Sequence, residues 1–411
     1  MFSIRTNFHK LYNSLPVFGP LPFSVKKEYR FVYSKIYYCK SHKYPRILRL
    51  FMIIPVRVLW YYKAVTMIVL EIKANARRVT SAHQISLLKQ IRGICYLAFM
   101  KNSPPDLYYY LRIYEHKINI GENYLADEHF SPILAYLISG KNWEVLKDKF
   151  RFWQIFKPVI PETVDIIAVF RNEESLFIGE NGILPEGEMF VKPLDSYGGN
   201  GCKKINFNKN GYSESGANGV LYDRENLIKL LKSRSKQDTY LLQAFQYNHP
   251  SLVGLSNGNL CTCRINTFLD SNGHIGILFA IFMMPVGESV TSNGNGIHAL
   301  VDLETGRLSA AINLSHPFEH IDFHPQGGGQ IAQTILPFWD DAKALCRKAH
   351  RLVPDLPIVG WDIAFTPQGV VLIEGNLIWP VGFWSLLHLN EEVCLNFIEI
   401  IEEYLKQTIR N

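Results

Sequence analysis

Three oxygen-bearing side chains near the end of the chain, Asp362, Glu374 and Asn376, stand in the runs "PIVGWDIAF" and "GVVLIEGN". Both runs are apolar enough to be buried strands, so an acid inside either needs a reason. The connecting "TPQGV" suits a three-residue loop, Pro367-Gln368-Gly369, with Pro and Gly where a type I turn followed by a left-handed residue wants them. That loop pairs Thr366 with Val370, and counting back along both strands pairs Asp362 with Glu374. Side chains alternate faces along a strand, so Asn376 joins Glu374. Two carboxylates and an amide oxygen then converge on one face, where they would repel and desolvate at a cost of several kcal/mol. A hard cation resolves this. Mg²⁺ takes a few such oxygens and completes its shell with water and phosphate. The competing reading, two hairpin-end acids in solvent, sits poorly with the apolar flanks.

A second stretch, "MFVKPLDSYGGNGCKKINF" (189–207), puts Lys192 at the end of an apolar run, ahead of Gly198, Gly199 and Gly201. Gly-rich backbone can bring several N–H groups against one anion. The order is not that of a Walker A loop, where glycines precede the lysine and a helix follows. Here "CKKINF" is β-like, so the stretch reads as a hairpin that could fold over a nucleotide. A plain surface hairpin with a loose turn is the alternative from these residues alone.

Elements able to position both stretches follow from about residue 140 onward. "KDKFRFWQIFK" is an amphipathic helix, and "PETVDIIAVF" leads away from it. "DRENLIKLLKSR" (223–234) is a helix capped by Asp223, and "TYLLQAFQ" (239–246) is a strand. "CTCRINTFLD" and "IGILFAIFMMPV" are strands joined at Ser271-Asn272-Gly273, and 337–353 is a helix starting at Pro337. Long antiparallel hairpins mixed with helices predict an α+β fold rather than a doubly wound parallel sheet.

The first hundred residues differ in kind. Residues 1–103 carry 18 Lys/Arg against 2 Asp/Glu, a balance of +16, leaving 25 basic and 35 acidic residues elsewhere, a balance of −10. Such a split suggests a basic, mostly helical module (1–103) that meets something anionic, ahead of a larger domain (104–411). The run "RILRLFMIIPVRVLWYYKAVTMIVLEIKANARR" is apolar but broken by Arg57 and Lys63, so it does not read as a membrane span. Pro55 predicts a helix start or kink. The run fits a helix lying on an anionic membrane surface, or a helix docked on the next domain. No recognition motif supports nucleic acid. "NSPPDLYYYLR" (102–112) reads as a linker in which Asp106 caps the next helix. Seven cysteines show no paired framework and no second Cys/His pair of ligand spacing. They read as reduced thiols of a cytoplasmic protein, and no signal peptide is evident.

In their order along the chain, "FVKP" with its glycine loop, "LLQAF" and "GWDIAF…VVLIEGN" resemble the ATP-grasp superfamily. "RINTFLD", "NGNGIHALVDLETGRL" and "HPQGGGQIAQTILPFWDDA" are similar to its sugar-transfer-associated branch. The likeness covers roughly residues 140–395 and implies ATP held between two α+β lobes. It implies Lys192 on the phosphates or adenine N7, and backbone of Gly198, Gly199, Asn200 and Gly201 over the β- and γ-phosphates. Lys149 would reach the α-phosphate, unless it is a solvated lysine. Gln243, Ala244 and Phe245 would form the hinge strand at the adenine edge. Asp362, Glu374 and Asn376 match the metal ligands, two Mg²⁺ being usual. Two departures stand out. Gly360 occupies the place of an arginine in ligases of D-alanine type, so Arg264 is the candidate catalytic cation, or else a buried strand arginine paired with an acid. "QYNHP" offers only Asn248 and His249 where a ribose-binding acid is usual, leaving the ATP-versus-GTP choice open. The implied activity is carboxylate–amine ligation through an acyl phosphate, on an acidic sugar or glycan precursor of cell-surface polysaccharide. A kinase-like or regulatory nucleotide binder in a glycan assembly complex is the alternative.

Overall fold

The computed structural model describes residues 45–100, 104–110, 112–115, 138, 140–178, 183–194, 199, 201–215, 220–270, 272–291, 296–313, 316–377, 399–400 and 403, without the side chains of 46, 48–59, 110 and 316–319. The chain divides into two compact units. One comprises residues 1–140, 316–318 and 380–411; the other comprises 141–315 and 319–379.

In the first unit, α1 (Arg46–His83) runs unbroken through Pro55, which neither starts nor ends it. A left-handed Gln84 closes α1, and Ser86 caps α2 (Leu87–Cys95), which continues as a π turn over 96–100. Trp60 and Ala64 of α1 are buried, as are Ile94 and Leu97. The Trp60 indole donates to the Ala98 carbonyl at 3.2 Å, tying the two helices together. The stretch read as a linker instead packs. Asp106 Oδ1 accepts from the Leu107 N–H as α3 (Leu107–Tyr110) begins, and Leu107, Tyr108 and Tyr109 are buried.

The second unit is α+β, as its sequence predicts. Two short helices, α4 (Glu144–Lys147) and α5 (Lys149–Phe156), precede the strands, and Asp148 caps α5 through Phe150 N–H and Arg151 N–H. The first sheet contains β1 (Ile166–Arg171), β2 (Glu174–Phe177), β3 (Met189–Pro193), β4 (Lys203–Asn208), β5 (Gly211–Glu214), β6 (Leu221–Tyr222) and β7 (Tyr240–Ala244). Its spatial order is β2-β1-β7-β3-β4-β5-β6. The predicted 189–207 hairpin is β3–β4, pairing Met189 with Ile205. Helix α6 (Arg224–Arg234), capped by Asp223 as expected, packs on this sheet through buried Leu227 and Leu231.

The second sheet follows from β8 (Thr262–Leu269), β9 (Ile275–Met284), β10 (Ile297–Val301) and β11 (Leu308–Asn313); after β12 (His316–Ile321) come α7 (Trp339–His350), β13 (Ile358–Thr366) and β14 (Gly369–Asn376). Within this unit the spatial order is β11-β10-β9-β8-β13-β14, all antiparallel. Helix α7 begins two residues after Pro337, at Trp339, because Phe338 takes a left-handed φ of 53° ahead of it. β13 is buried along its whole length. On the face away from the acids, Trp361 donates to Thr267 Oγ1 at 2.8 Å and its ring meets Phe156 of α5. This packing fixes where the opposite-facing Asp362 points.

Candidate functional site

The turn between β13 and β14 has two residues, Pro367 and Gln368, not three, because Thr366 pairs with Gly369. The register then runs Phe365–Val370, Ala364–Val371 and Ile363–Leu372 before it shifts between Asp362 and Ile363. That bulge leaves Ile373 extra and restores the pairing of Asp362 with Glu374. A shorter turn and a bulge therefore give the pairing that the three-residue turn predicts. A bulge re-aims side chains, and here it brings Glu374 round to the face of Asp362.

Asp362 is held from two sides. Arg264, its partner on β8, donates from Nε to Oδ1 and from Nη2 to Oδ2, both at 2.7 Å. Such a two-pronged, charge-assisted pair fixes the carboxylate plane. Asn376 Nδ2 donates to Asp362 Oδ2 at 3.2 Å and to Glu374 Oε1 at 3.4 Å, so all three predicted ligands converge. Lys192 Nζ stands 3.6 Å from Glu374 Oε2. Burial pushes the Asp362 carboxyl up, with Arg264 opposing. Burial acts on Glu374 in the same direction, but Lys192, then Lys149 and Arg264, outweigh it and hold this carboxyl below its ordinary value. Glu374 is thus ionised at neutral pH.

Asp362, Glu374 and Lys192 line a cleft of about 870 Å³, counting its open mouth, together with Lys149, Gln243, Ala244, Phe245 and Gly199. Lys149 is not a solvated lysine, since its Nζ donates to the Leu194 carbonyl at 2.7 Å beside the end of β3. Gly198 and Asn200 lie outside the described residues. Gly199 and Gly201 have φ near 77° and 76°, and a Cβ on Gly199 would come within 2.3 Å of Thr291 Oγ1. Only glycine allows that approach. Part of the hinge backbone is already spoken for, since Ala244 N–H donates to the Asp165 carbonyl and Phe245 N–H to the Glu188 carbonyl. Asn248 is committed within the fold. Its amide bridges the Asn259 carbonyl and the Cys261 N–H, and His249 caps the 250–255 turn.

Side chains missed by the sequence reading also build the floor. Thr262 lines the cleft, and Asn266 is fully buried with neither Nδ2 nor Oδ1 hydrogen-bonded. Gly360 explains how Asn266 and Arg264 fit: a Cβ there would meet Asn266 Oδ1 at 2.8 Å and Arg264 Cδ at 3.3 Å. The signal was present as alternation, since Thr262, Arg264 and Asn266 are polar while Cys263 and Ile265 between them are not. On β10, burial with help from Arg264 pulls His298 down to about 3, so this imidazole is neutral.

The donor set fits a hard divalent cation. Two carboxylates meet at one amide, and rotating the Asn376 carboxamide presents Oδ1 in place of Nδ2. Asp362 keeps lone pairs beyond those that Arg264 uses.

Solved structures with a similar course include an L-amino acid ligase from Bacillus licheniformis, at 10% identity and TM-score 0.36, covering 63% of this chain and 48% of that one. The chain therefore spans about half the length of that ligase. A D-alanine–D-alanine ligase from Bacillus anthracis complexed with ATP shows 13% identity and TM-score 0.37, covering 64% and 67%. A biotin carboxylase from Campylobacter jejuni in a β-γ-ATP complex shows 10% identity and TM-score 0.37, covering 64% and 47%. No match is found among curated protein sequences. Residues 135–403 match the model of the sugar-transfer associated ATP-grasp family, well over half of the chain, and the chain belongs to that family.

Proposed function

We propose that the protein is an ATP- and Mg²⁺-dependent ligase that joins a carboxylate to an amine through an acyl phosphate. The observation that carries this reading is the cleft floor, where Asp362, Glu374 and Asn376 converge with Lys192 and Arg264 against them. Counting Lys149, three cations face two carboxylates, a balance that suits a metal-bound polyphosphate. Asp362, Glu374 and Asn376 would hold Mg²⁺, which would supply positive charge against the phosphoryl group in transfer.

Lys192 and Lys149 would hold phosphate oxygens, and the backbone around Gly199 would cover them. Gly198, Asn200 and Gly201 belong to the same loop in this reading. Gln243, Ala244 and Phe245 would read the adenine edge. A substrate carboxylate oxygen attacks the γ-phosphorus, the bond to the bridging oxygen breaks, and ADP leaves. The amine nitrogen then attacks the acyl carbon, phosphate leaves, and the amine loses one proton to solvent. Arg264, fixed by Asp362, would stabilise the oxyanion of this second step. In this reading the carboxylate belongs to an acidic sugar or glycan precursor in cell-surface polysaccharide biosynthesis, and the family's description, sugar-transfer associated, supports the link to sugars alone.

The test measures ADP release with acid and amine added separately and together, and identifies the product by mass. Release that needs both, with an amide formed, supports ligation. Equal release with neither would point to the kinase-like or regulatory alternative instead.

A further inference from the structure

Helix α2 buries a polar side chain and exposes apolar ones. Beside Ile94, its inward face carries Gln90, which is fully buried. Gln90 Nε2 donates to the Ala76 carbonyl (3.3 Å), Thr80 Oγ1 (3.0 Å) and the Ile85 carbonyl (2.9 Å), and Oε1 accepts from the Tyr109 hydroxyl (2.9 Å). Its outward face carries Leu87, Leu88 and Ile91, which are 49%, 59% and 36% exposed. At 100° per residue these three share one arc of about 100°, with exposed Arg92 about 40° beyond its Leu88 edge and exposed Lys89 about 60° further round. Four hydrogen bonds hold Gln90 inward, so the exposed leucines follow from the packing and not from a loosely placed helix.

Exposing apolar groups in this way costs solubility unless something covers them. Charge says what. Residues 45–100 contain nine Lys/Arg and one acid, Glu71. A second copy would bring the same positive edges together, which like-charge repulsion opposes. Nucleic-acid phosphates would meet the basic edge but leave the leucines in water. A surface with negative headgroups over an apolar layer satisfies both sets of side chains. α2 has nine residues, and among the described residues no helix is long and apolar enough to cross a membrane.

We propose that the Leu87–Leu88–Ile91 face of α2, with Lys89 and Arg92, docks in the interface of an anionic membrane. This does not rest on the ligase reading. The sequence alone directed attention to the 46–78 run of α1, whereas the structure assigns the contact to α2.

Full-length protein is sedimented with phosphatidylcholine vesicles with and without phosphatidylserine. Binding is expected only with phosphatidylserine, falling as salt rises. Leu88→Gln with Ile91→Gln should lower the partition about tenfold or more, through lost apolar burial. Lys89→Glu with Arg92→Glu should do so through charge, and both should leave helix content by circular dichroism unchanged. No binding to phosphatidylserine vesicles overturns the proposal, as does equal binding by wild type and both variants. A wild-type dimer that Leu88→Gln with Ile91→Gln makes monomeric also overturns it, by showing that a second copy covers the face.

Discussion

The β8–β13–β14 floor and helix α2 break the same rule in opposite directions. The floor buries Arg264, Asp362 and Asn266 in a sheet whose buried residues are mostly apolar. α2 buries a glutamine and turns Leu87, Leu88 and Ile91 to solvent. Each departure costs free energy in the isolated chain, because buried charges lose water and exposed leucines order it. The direction of the departure indicates where the compensation comes from. In the floor it comes from inside, through the neighbouring cations Lys192, Lys149 and Arg264. On α2 it comes from outside, through whatever surface covers the helix.

The largest expected effect is in the floor. Glu374→Gln keeps the shape and removes the acid that Lys192 holds ionised, so ADP release should fall about 10²-fold or more. Circular dichroism should not change. Asp362→Asn should fall with it. Wild-type turnover in both variants would break the reading of the floor as a metal and phosphate site.

Lys192→Met sharpens the electrostatic half of the comparison. The Glu374 carboxyl lies below its ordinary value of 4.5, so the folded state binds its proton less readily than the unfolded chain does. The resulting stability is present above 4.5 and is lost as pH falls through the folded value. Removing Lys192 should therefore destabilise most at neutral pH, and the difference from wild type should fade under acid. Urea midpoints measured across pH decide this. A pH-independent difference would mean that Lys192 acts by packing and not by charge.

A smaller effect is expected at the loop. Gly199→Ala places a Cβ against Thr291 at a left-handed φ, and should weaken nucleotide binding about tenfold, readable by titration with an ATP analogue. Gly258→Ala, at a φ of 92° with nothing within 4 Å, carries the backbone strain alone and leaves nucleotide affinity unchanged.

The smallest effects test α2. Gln90→Ala leaves the buried Tyr109 hydroxyl without its acceptor, and should cost the first unit about 1–3 kcal/mol. Leu88→Gln should change stability by no more than about 0.5 kcal/mol in denaturant, the reverse of what a leucine and a glutamine usually do. A large loss for Leu88→Gln would place that leucine in a core and remove the contrast.

The strands, the capped helices and the convergence of Asp362, Glu374 and Asn376 were legible in the sequence, because period-two alternation and cap residues are local signals. The route to that convergence was not. Turn length and bulge shift the register by one residue each, in compensating directions, and nothing local in "TPQGV" separates the two solutions. The Arg264–Asp362 pair joins residues 98 apart, so no spacing could announce it, although the polar alternation of Thr262, Arg264 and Asn266 marked the face. Asn248 was available to a ribose by sequence and is committed to the 259–261 segment by the fold. Charge asymmetry, composition and element type are properties of the chain itself, and the sequence determines them alone. Which side of α2 meets solvent was decided only by tertiary structure, because Gln90 turns inward when Tyr109, Thr80 and the Ala76 and Ile85 carbonyls are brought around it, and the leucines are left to face the other way.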